Sequence, residues 1–297
     1  MKKLTRLLAG ALIASMMFSI TACGKEGNFT AKKFKKVAVE NLDAEEWDLS
    51  DINIEDQDDI EGYAADIMAD LEDGIFATRT GEDIMDDDNY DEDIYNIICG
   101  VLDIDLDMEK IDANSIYLRG SLEDEDEYYI LSASLLEFKD KDAASTYFQS
   151  VLHNIKRGSK VANAVCGTEF DIETLEKETF KYNGKNSGHI VIKLSSEDID
   201  AFDDLDIDEE MTVVFGFYIE GKDVFTVFSV CPDAEGNDET TEFFKLMGMK
   251  NPYELESTEA VVDFINDVYK NSDKIYKRWM DKFENSTVGQ VVSQTRI

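Results

Sequence analysis

Residues 211–230 read MTVVFGFYIEGKDVFTVFSV, and this stretch decides the fold class. Two runs dense in Val, Phe, Tyr and Ile, residues suited to a pleated and half-buried surface, flank Glu220-Gly221-Lys222. A glycine between such runs marks an antiparallel hairpin, because tight turns need the positive φ that glycine adopts without steric cost. Pro232 ends the second run, since proline offers no N–H to a strand ladder. Upstream, FKYN and HIVIKL flank Asn183-Gly184 and predict a second hairpin with a longer loop. SIYLRG and YYILSASLLEF read as strands joined by the charged loop Glu123 to Glu127.

Helical spacing surrounds these strands. Thr30 is placed to cap a helix that carries Phe34, Val37, Ala38 and Leu42 on one face. Ile60, Tyr63, Ala64, Ile67, Met68 and Leu71 follow the spacing of one helix face, with acids opposite. Asp93 to Val101 predicts a shorter helix through Ile94, Ile97 and Ile98. DKDAASTYFQSVLHNIK is amphipathic, with Asp142 at its N-terminus, and a further helix runs from Asp238 to a stop at Gly248 with Pro252 beyond. Ser257 is placed to cap a last helix carrying Val261, Phe264, Ile265 and Val268; Ile275, Tyr276, Trp279 and Phe283 continue it after a break at Asn271-Ser272. Hairpins with helices not interleaved one per strand imply an α+β fold, antiparallel hairpins packed with amphipathic helices.

A pause at Arg157-Gly158-Ser159 predicts a boundary between an acidic α+β domain over 30–157 and a second α+β domain over 158–284, followed by a tail over 285–297. ASLLEF-KDKDAASTYF and TVFSV-CPDAEGNDETTEFF both run from an apolar strand through an acidic turn to a helix with aromatic residues. Two related halves would produce this echo, and so would two independent uses of one motif.

The chain carries 66 Asp and Glu against 29 Lys and Arg, a formal charge of −37, while 43% of its residues are hydrophobic. The apolar content is that of a folded protein, and the charge argues against nucleic acid as a partner, which needs basic footprints. The acids are concentrated: residues 41–130 hold 32 of them against Arg79, Lys110 and Arg119, a local net of −29.

The N-terminus carries the clearest functional signal. Lys2, Lys3 and Arg6 precede an uncharged run of 14 residues from Leu7 to Ile20. That length suits the apolar region of a signal peptide and falls short of the ~20 residues a membrane span requires. The run ends in Ile20-Thr21-Ala22-Cys23, which resembles the lipobox of bacterial lipoproteins: an aliphatic residue and two small ones before a cysteine. The resemblance covers residues 1–25, and Ile20 and Thr21 depart from the commonest Leu and Ala or Ser. It implies a signal peptide over 1–22, a diacylglyceryl group on the thiol of Cys23, a lipidated tether over 23–29, and a cell-membrane location on the extracytoplasmic face. Loss of Lys2, Lys3 and Arg6 with the signal would take the formal charge from −37 to −40. Lys32, Lys33, Lys35 and Lys36 follow the tether and either face anionic lipid or form an ordinary solvated helix face.

No segment names a reaction. LDIDLDMEK places Asp103, Asp105 and Asp107 like the first calcium ligands of an EF-hand, but Met108 and Asn114 stand where that loop needs Gly and Glu. Alternation with Leu102, Ile104, Leu106 and Met108 reads equally as a half-buried edge strand. Asp203 to Glu210 and Asp86 to Asp93 match the loop no better, so bare carboxylates suit weak, diffuse binding of divalent cations better than a specific calcium site. His153 and His189 lie in different halves, and no CxxC, HExxH or GxSxG occurs. Cys99, Cys166 and Cys231 sit beside Ile98, Val165 and Val230, which favours three small buried hydrophobes over the alternative of one disulfide and one free thiol. The sequence therefore predicts a non-catalytic, membrane-anchored module that needs no cofactor and binds a protein or small-molecule partner. The alternative is an extracytoplasmic enzyme or a calcium-binding protein that uses its clustered carboxylates.

Overall fold

The computed structural model describes residues 29–48, 67, 70–85, 106–121, 128–166, 180–182, 187–199, 211–232, 235–272, 274 and 276–277. Its strands are β1 (Glu45–Trp47), β2 (Ile75–Thr80), β3 (Ile111–Ser121), β4 (Tyr129–Phe138), β5 (Phe180–Tyr182), β6 (Ser187–Ser195), β7 (Thr212–Glu220) and β8 (Asp223–Cys231). They form one eight-stranded sheet in the order β1-β2-β3-β4-β8-β7-β6-β5. Only the β1–β2 pair is parallel; every other neighbouring pair is antiparallel. The helices are α1 (Ala31–Lys35), α2 (Gly81–Met85), α3 (Lys141–Cys166), α4 (Asp238–Met247) and α5 (Glu259–Lys270), and α1 continues directly into a π-helical turn at Lys36–Asn41. The mixed α+β class expected from the hairpins is what the structure has.

The 211–230 stretch forms the β7–β8 hairpin, with Glu220 opposite Asp223 and φ of 73° at Gly221. Its strands are apolar on both faces because helices cover both. On one face, α1 and α4 lay a set of rings across the sheet. Phe29 stacks on Phe225 at 4.9 Å, Phe34 meets Phe225 edge-on at 5.4 Å, and Phe243 stacks on Tyr117 at 5.4 Å. On the other face, α3 places Phe148 on Phe217 at 4.9 Å and Tyr147 against Phe138 at 5.6 Å. Each fully buried ring contributes about 1.5–3 kcal/mol by removal from water, and these two layers hold the sheet between them.

Two of the scarce cations fasten helix ends. Lys33 Nζ donates to the Met247 carbonyl at 2.7 Å, at the C-terminus of α4. Arg119 Nη1 donates to the Leu42 carbonyl at 2.6 Å, just beyond the π-helical turn. Both positions gain from the negative end of a helix dipole as well as from satisfying an orphan carbonyl.

The expected helix starts hold to within a residue or two. Thr30 Oγ1 accepts from the Lys33 N–H at 3.4 Å, and α4 stops at Gly248 in the left-handed conformation. The cap of α3 is Asp140 rather than Asp142, since Asp140 Oδ1 accepts the N–H groups of Asp142 and Ala143. Thr258 rather than Ser257 precedes α5, and the Thr258 Oγ1 accepts the Lys193 N–H at 3.2 Å along the edge of β6.

The pause expected at Arg157-Gly158-Ser159 is not a break: α3 runs through it to Cys166. Packing of Val151, Leu152 and Ile155 against the core outweighs the ~1 kcal/mol that a mid-helix glycine costs. Strands from both sides of that point share the sheet, with β4 hydrogen-bonded to β8 from Ile130–Val230 to Glu137–Asp223. The edge strand expected at Leu102 to Met108 is replaced, over its described part, by buried Leu106 and a 3-10 turn at Met108–Lys110, which Asp107 Oδ1 caps. Among the described residues no helix is long and apolar enough to cross a membrane.

Candidate functional site

The registers of four strands line up one row of polar side chains on the face covered by α1 and α4. Ser187 of β6 lies opposite Glu220 of β7, Glu220 opposite Asp223 of β8, and Asp223 opposite Glu137 of β4. Directly opposed residues have Cβ atoms about 4.5–5.5 Å apart, so three carboxyl groups are forced into one another's field. Three buried oxygens in this row lack a hydrogen-bond partner: Ser187 Oγ, Glu220 Oε2 and Asp223 Oδ1.

The electrostatics follow from that crowding. Burial, then the neighbouring charges of Glu137 and Glu220, push the Asp223 carboxyl up to about 6, against an opposing pull from Lys222. Burial also raises Glu137, although Lys222 and the Ala31 backbone N–H favour its ionised form. Lys222 is held protonated chiefly by its hydrogen bond to Asp112, at 3.0 Å. The row can therefore hold a proton near neutrality. It does not make a metal centre as it stands: among the described residues no three His, Cys, Asp or Glu side chains are grouped to hold an ion.

A cavity of about 380 Å³ opens at the same end of the sheet, lined by Asp107, Lys110, Phe138, Asp140, Asp142 and Thr146 among others. Two of its carboxylates are already committed to local backbone, Asp107 to the 3-10 turn and Asp140 to the start of α3.

The site residues expected from sequence fare unequally. Cys23 lies outside the described residues, as do Cys99, Asp203 to Glu210, Asp86 to Asp93 and most of the Ile60 to Leu71 helix. His153 is exposed on α3, and His189 stands on β6 beside Tyr218 with ring centroids 6.0 Å apart. Cys231 is in no disulfide and fully buried, as its apolar neighbours predict. Of the four lysines after the tether, Lys33 is bonded to Met247 and Lys35 pairs with Glu46, which leaves Lys32 and Lys36 on the exposed face. Sequence reasoning missed the Glu137–Asp223–Glu220 row. Glu220 and Asp223 flank the turn and were visible as a pair, but Glu137 joins them only through the β4–β8 pairing across 86 residues.

No family model matches the chain, and neither the curated proteins nor the solved structures contain a significant match to it.

Proposed function

We propose that the chain is a bacterial lipoprotein, held on the extracytoplasmic face of the cell membrane by a diacylglyceryl group on Cys23, whose α+β domain is a non-catalytic binding or interaction module. The observation that carries this is Ile20-Thr21-Ala22-Cys23 at the end of a 14-residue uncharged run behind Lys2, Lys3 and Arg6. Two acyl chains supply the stable hold that a single chain lacks, at about 0.8 kcal/mol per buried methylene. An almost all-carboxylate polar inventory, with no nucleophile motif in the chain, supports binding over catalysis. The test is metabolic labelling: the wild-type chain takes up labelled fatty acid and stays with membranes, and Cys23→Ala does neither. An unlabelled wild-type chain would sink the proposal.

A second reading, use of clustered carboxylates for a divalent cation or for catalysis, is favoured by the unpartnered oxygens of Glu220 and Asp223. Calorimetric titration with calcium decides the cation version, and a flat trace with an unmoved melting temperature removes it.

The sequence echo bears on origin rather than activity. The strand order runs 4-3-2-1 on one side of the β4–β8 seam and 8-7-6-5 on the other, which favours two related halves. Against that, a two-fold axis exchanging two antiparallel neighbours must stand perpendicular to the sheet and would leave α3 and α4 on the same face. They pack on opposite faces, and β1–β2 is parallel where β5–β6 is antiparallel. We therefore take the echo as two uses of one motif; a superposition of the halves that aligned their helices would reverse this.

A further inference from the structure

We propose that the Glu137–Asp223–Glu220 row is a proton-controlled latch on residues 29–31: a proton in the row lets the start of α1 lie closed over it, and loss of that proton lets the start lift away. The three carboxyl groups stand on adjacent strands, with Asp223 of β8 between Glu137 of β4 and Glu220 of β7. All three residues are half-buried. Glu220 Oε2 and Asp223 Oδ1 are buried oxygens without a partner. Opposed residues have Cβ atoms about 4.5–5.5 Å apart, which puts neighbouring carboxyl groups within reach of one shared proton. Without it, three negative charges stand side by side.

The start of α1 closes over this row. The Ala31 N–H bonds Glu137. Phe29 lies against Phe225 and Tyr218, with ring centroids 4.9 and 5.5 Å apart. Those two residues oppose each other two positions along their strands from Asp223 and Glu220, about 7 Å away. The rest of α1 is held elsewhere. Phe34 meets Phe76 and Phe225 edge-on, and Lys33 Nζ bonds the Met247 carbonyl. Residues 29–31 can therefore lift while the remainder of α1 stays seated.

The groups around Asp223 set the direction of the switch. Glu137 and Glu220 flank it, and Lys222 at the turn pulls against them while paired with Asp112 of β3. Lys32 of α1 is exposed, and Lys141 of α3 comes up beside Gly221. His189 follows Ser187 on the same face of β6 and is the other side chain here whose ordinary titration falls near neutrality. Burial is the first cause that raises Asp223 to about 6, so its ionised form is favoured by whatever wets it. Lifting residues 29–31 does so without breaking the sheet. An opening that returned Asp223 to the ordinary 3.8 would be about tenfold more frequent at pH 7.5 than at pH 5. Phe29 follows Cys23 by six positions, so three freed residues would add up to roughly 10 Å to the link between domain and anchor. That consequence alone rests on the acylation of Cys23.

Amide hydrogen exchange on the full chain in detergent, corrected for the intrinsic pH dependence of exchange, tests the latch. Protection of the Ala31, Lys33 and Phe34 amides should fall about tenfold from pH 5 to pH 7.5. These amides should also exchange faster than those of β4 at every pH, because the sheet stays formed. Amides of α5, remote from the row, should hold level. Protection of residues 31–34 that is level with pH, or that falls only together with β4 and to the same value, would overturn the proposal. Asp223→Asn or, if that variant does not fold, Asp223→Ser should abolish the fall, and His189→Gln should leave it in place. A fall that survives loss of the Asp223 carboxyl, or that disappears with His189, would equally overturn it. The measurement reads the latch whether or not Cys23 is acylated, and the mass of the peptide containing Cys23 reports the anchor separately.

Discussion

Two rows of polar residues cross the same face of the sheet, three register steps or about 20 Å apart, and they are built differently. The distant row contains Lys193, Ser229 and Arg119, and its polar groups find partners. Lys193 Nζ donates to the Tyr253 carbonyl at 2.6 Å, Tyr253 donates its hydroxyl to Ser229 Oγ at 2.7 Å, and Arg119 bonds both Tyr129 and the Leu42 carbonyl. The row at the turn places Ser187, Glu220, Asp223 and Glu137 side by side and leaves three oxygens unpartnered. Both rows are covered by helices, yet the first satisfies its buried groups with neutral oxygens and fixed cations, while the second sets like charges opposite one another. The distant row holds the fold, and the turn row stores a proton-dependent strain.

The largest test removes what lies between them. Phe225, fully buried and one step from the turn row, touches Phe29, Phe34 and Phe243. Phe225→Ala should cost about 3–5 kcal/mol in urea unfolding, and a loss below about 1 kcal/mol would mean the ring stack does not hold the face. Next comes the satisfied row. Tyr253→Phe leaves the Ser229 hydroxyl buried without its donor and should cost about 1–3 kcal/mol; a neutral result would deny the row its structural role.

The turn row should respond to pH. Asp223 binds its proton more tightly folded, at about 6, than an ordinary aspartate at 3.8 does unfolded. It therefore contributes nothing while both states are protonated, and it destabilises the fold progressively as pH rises from about 4 through 6. Asp223→Asn should raise the melting temperature at about pH 7.5 and by much less at about pH 4. Parallel profiles for variant and wild type would break the contrast between the rows. Glu220→Gln, which removes one neighbouring charge, should lower the Asp223 midpoint by a smaller amount, visible in a carboxyl NMR titration; an unmoved midpoint would leave burial and Glu137 to set it. The smallest effect belongs to neither row: the exposed Lys35–Glu46 pair should be worth no more than about 0.5 kcal/mol by Lys35→Gln.

Much of the architecture was legible because it is local. The β7–β8 hairpin follows from its glycine turn, α1 from Thr30 and the spacing of Phe34, Val37 and Ala38, and α4 from Gly248. Arg157-Gly158-Ser159 misled because glycine and serine weaken a helix only slightly, and the apolar stripe before them finds the sheet. The turn row was unreadable for the opposite reason. Its carboxylates are ordinary members of a chain with 66 acids until β4 pairs with β8, and no local pattern encodes that pairing.

The amino-acid sequence by itself determined the α+β class, the hairpins, most helix starts, and the lipobox-like quartet at Cys23 that underlies the proposed address. These depend on neighbours a few residues apart, where turn chemistry, capping and periodicity act. Only the tertiary structure decided that both halves share one sheet, that Lys33 and Lys35 are engaged, and that Glu137, Asp223 and Glu220 meet. Those outcomes depend on long-range strand pairing, which is selected by the total burial on both faces rather than by any short stretch of sequence.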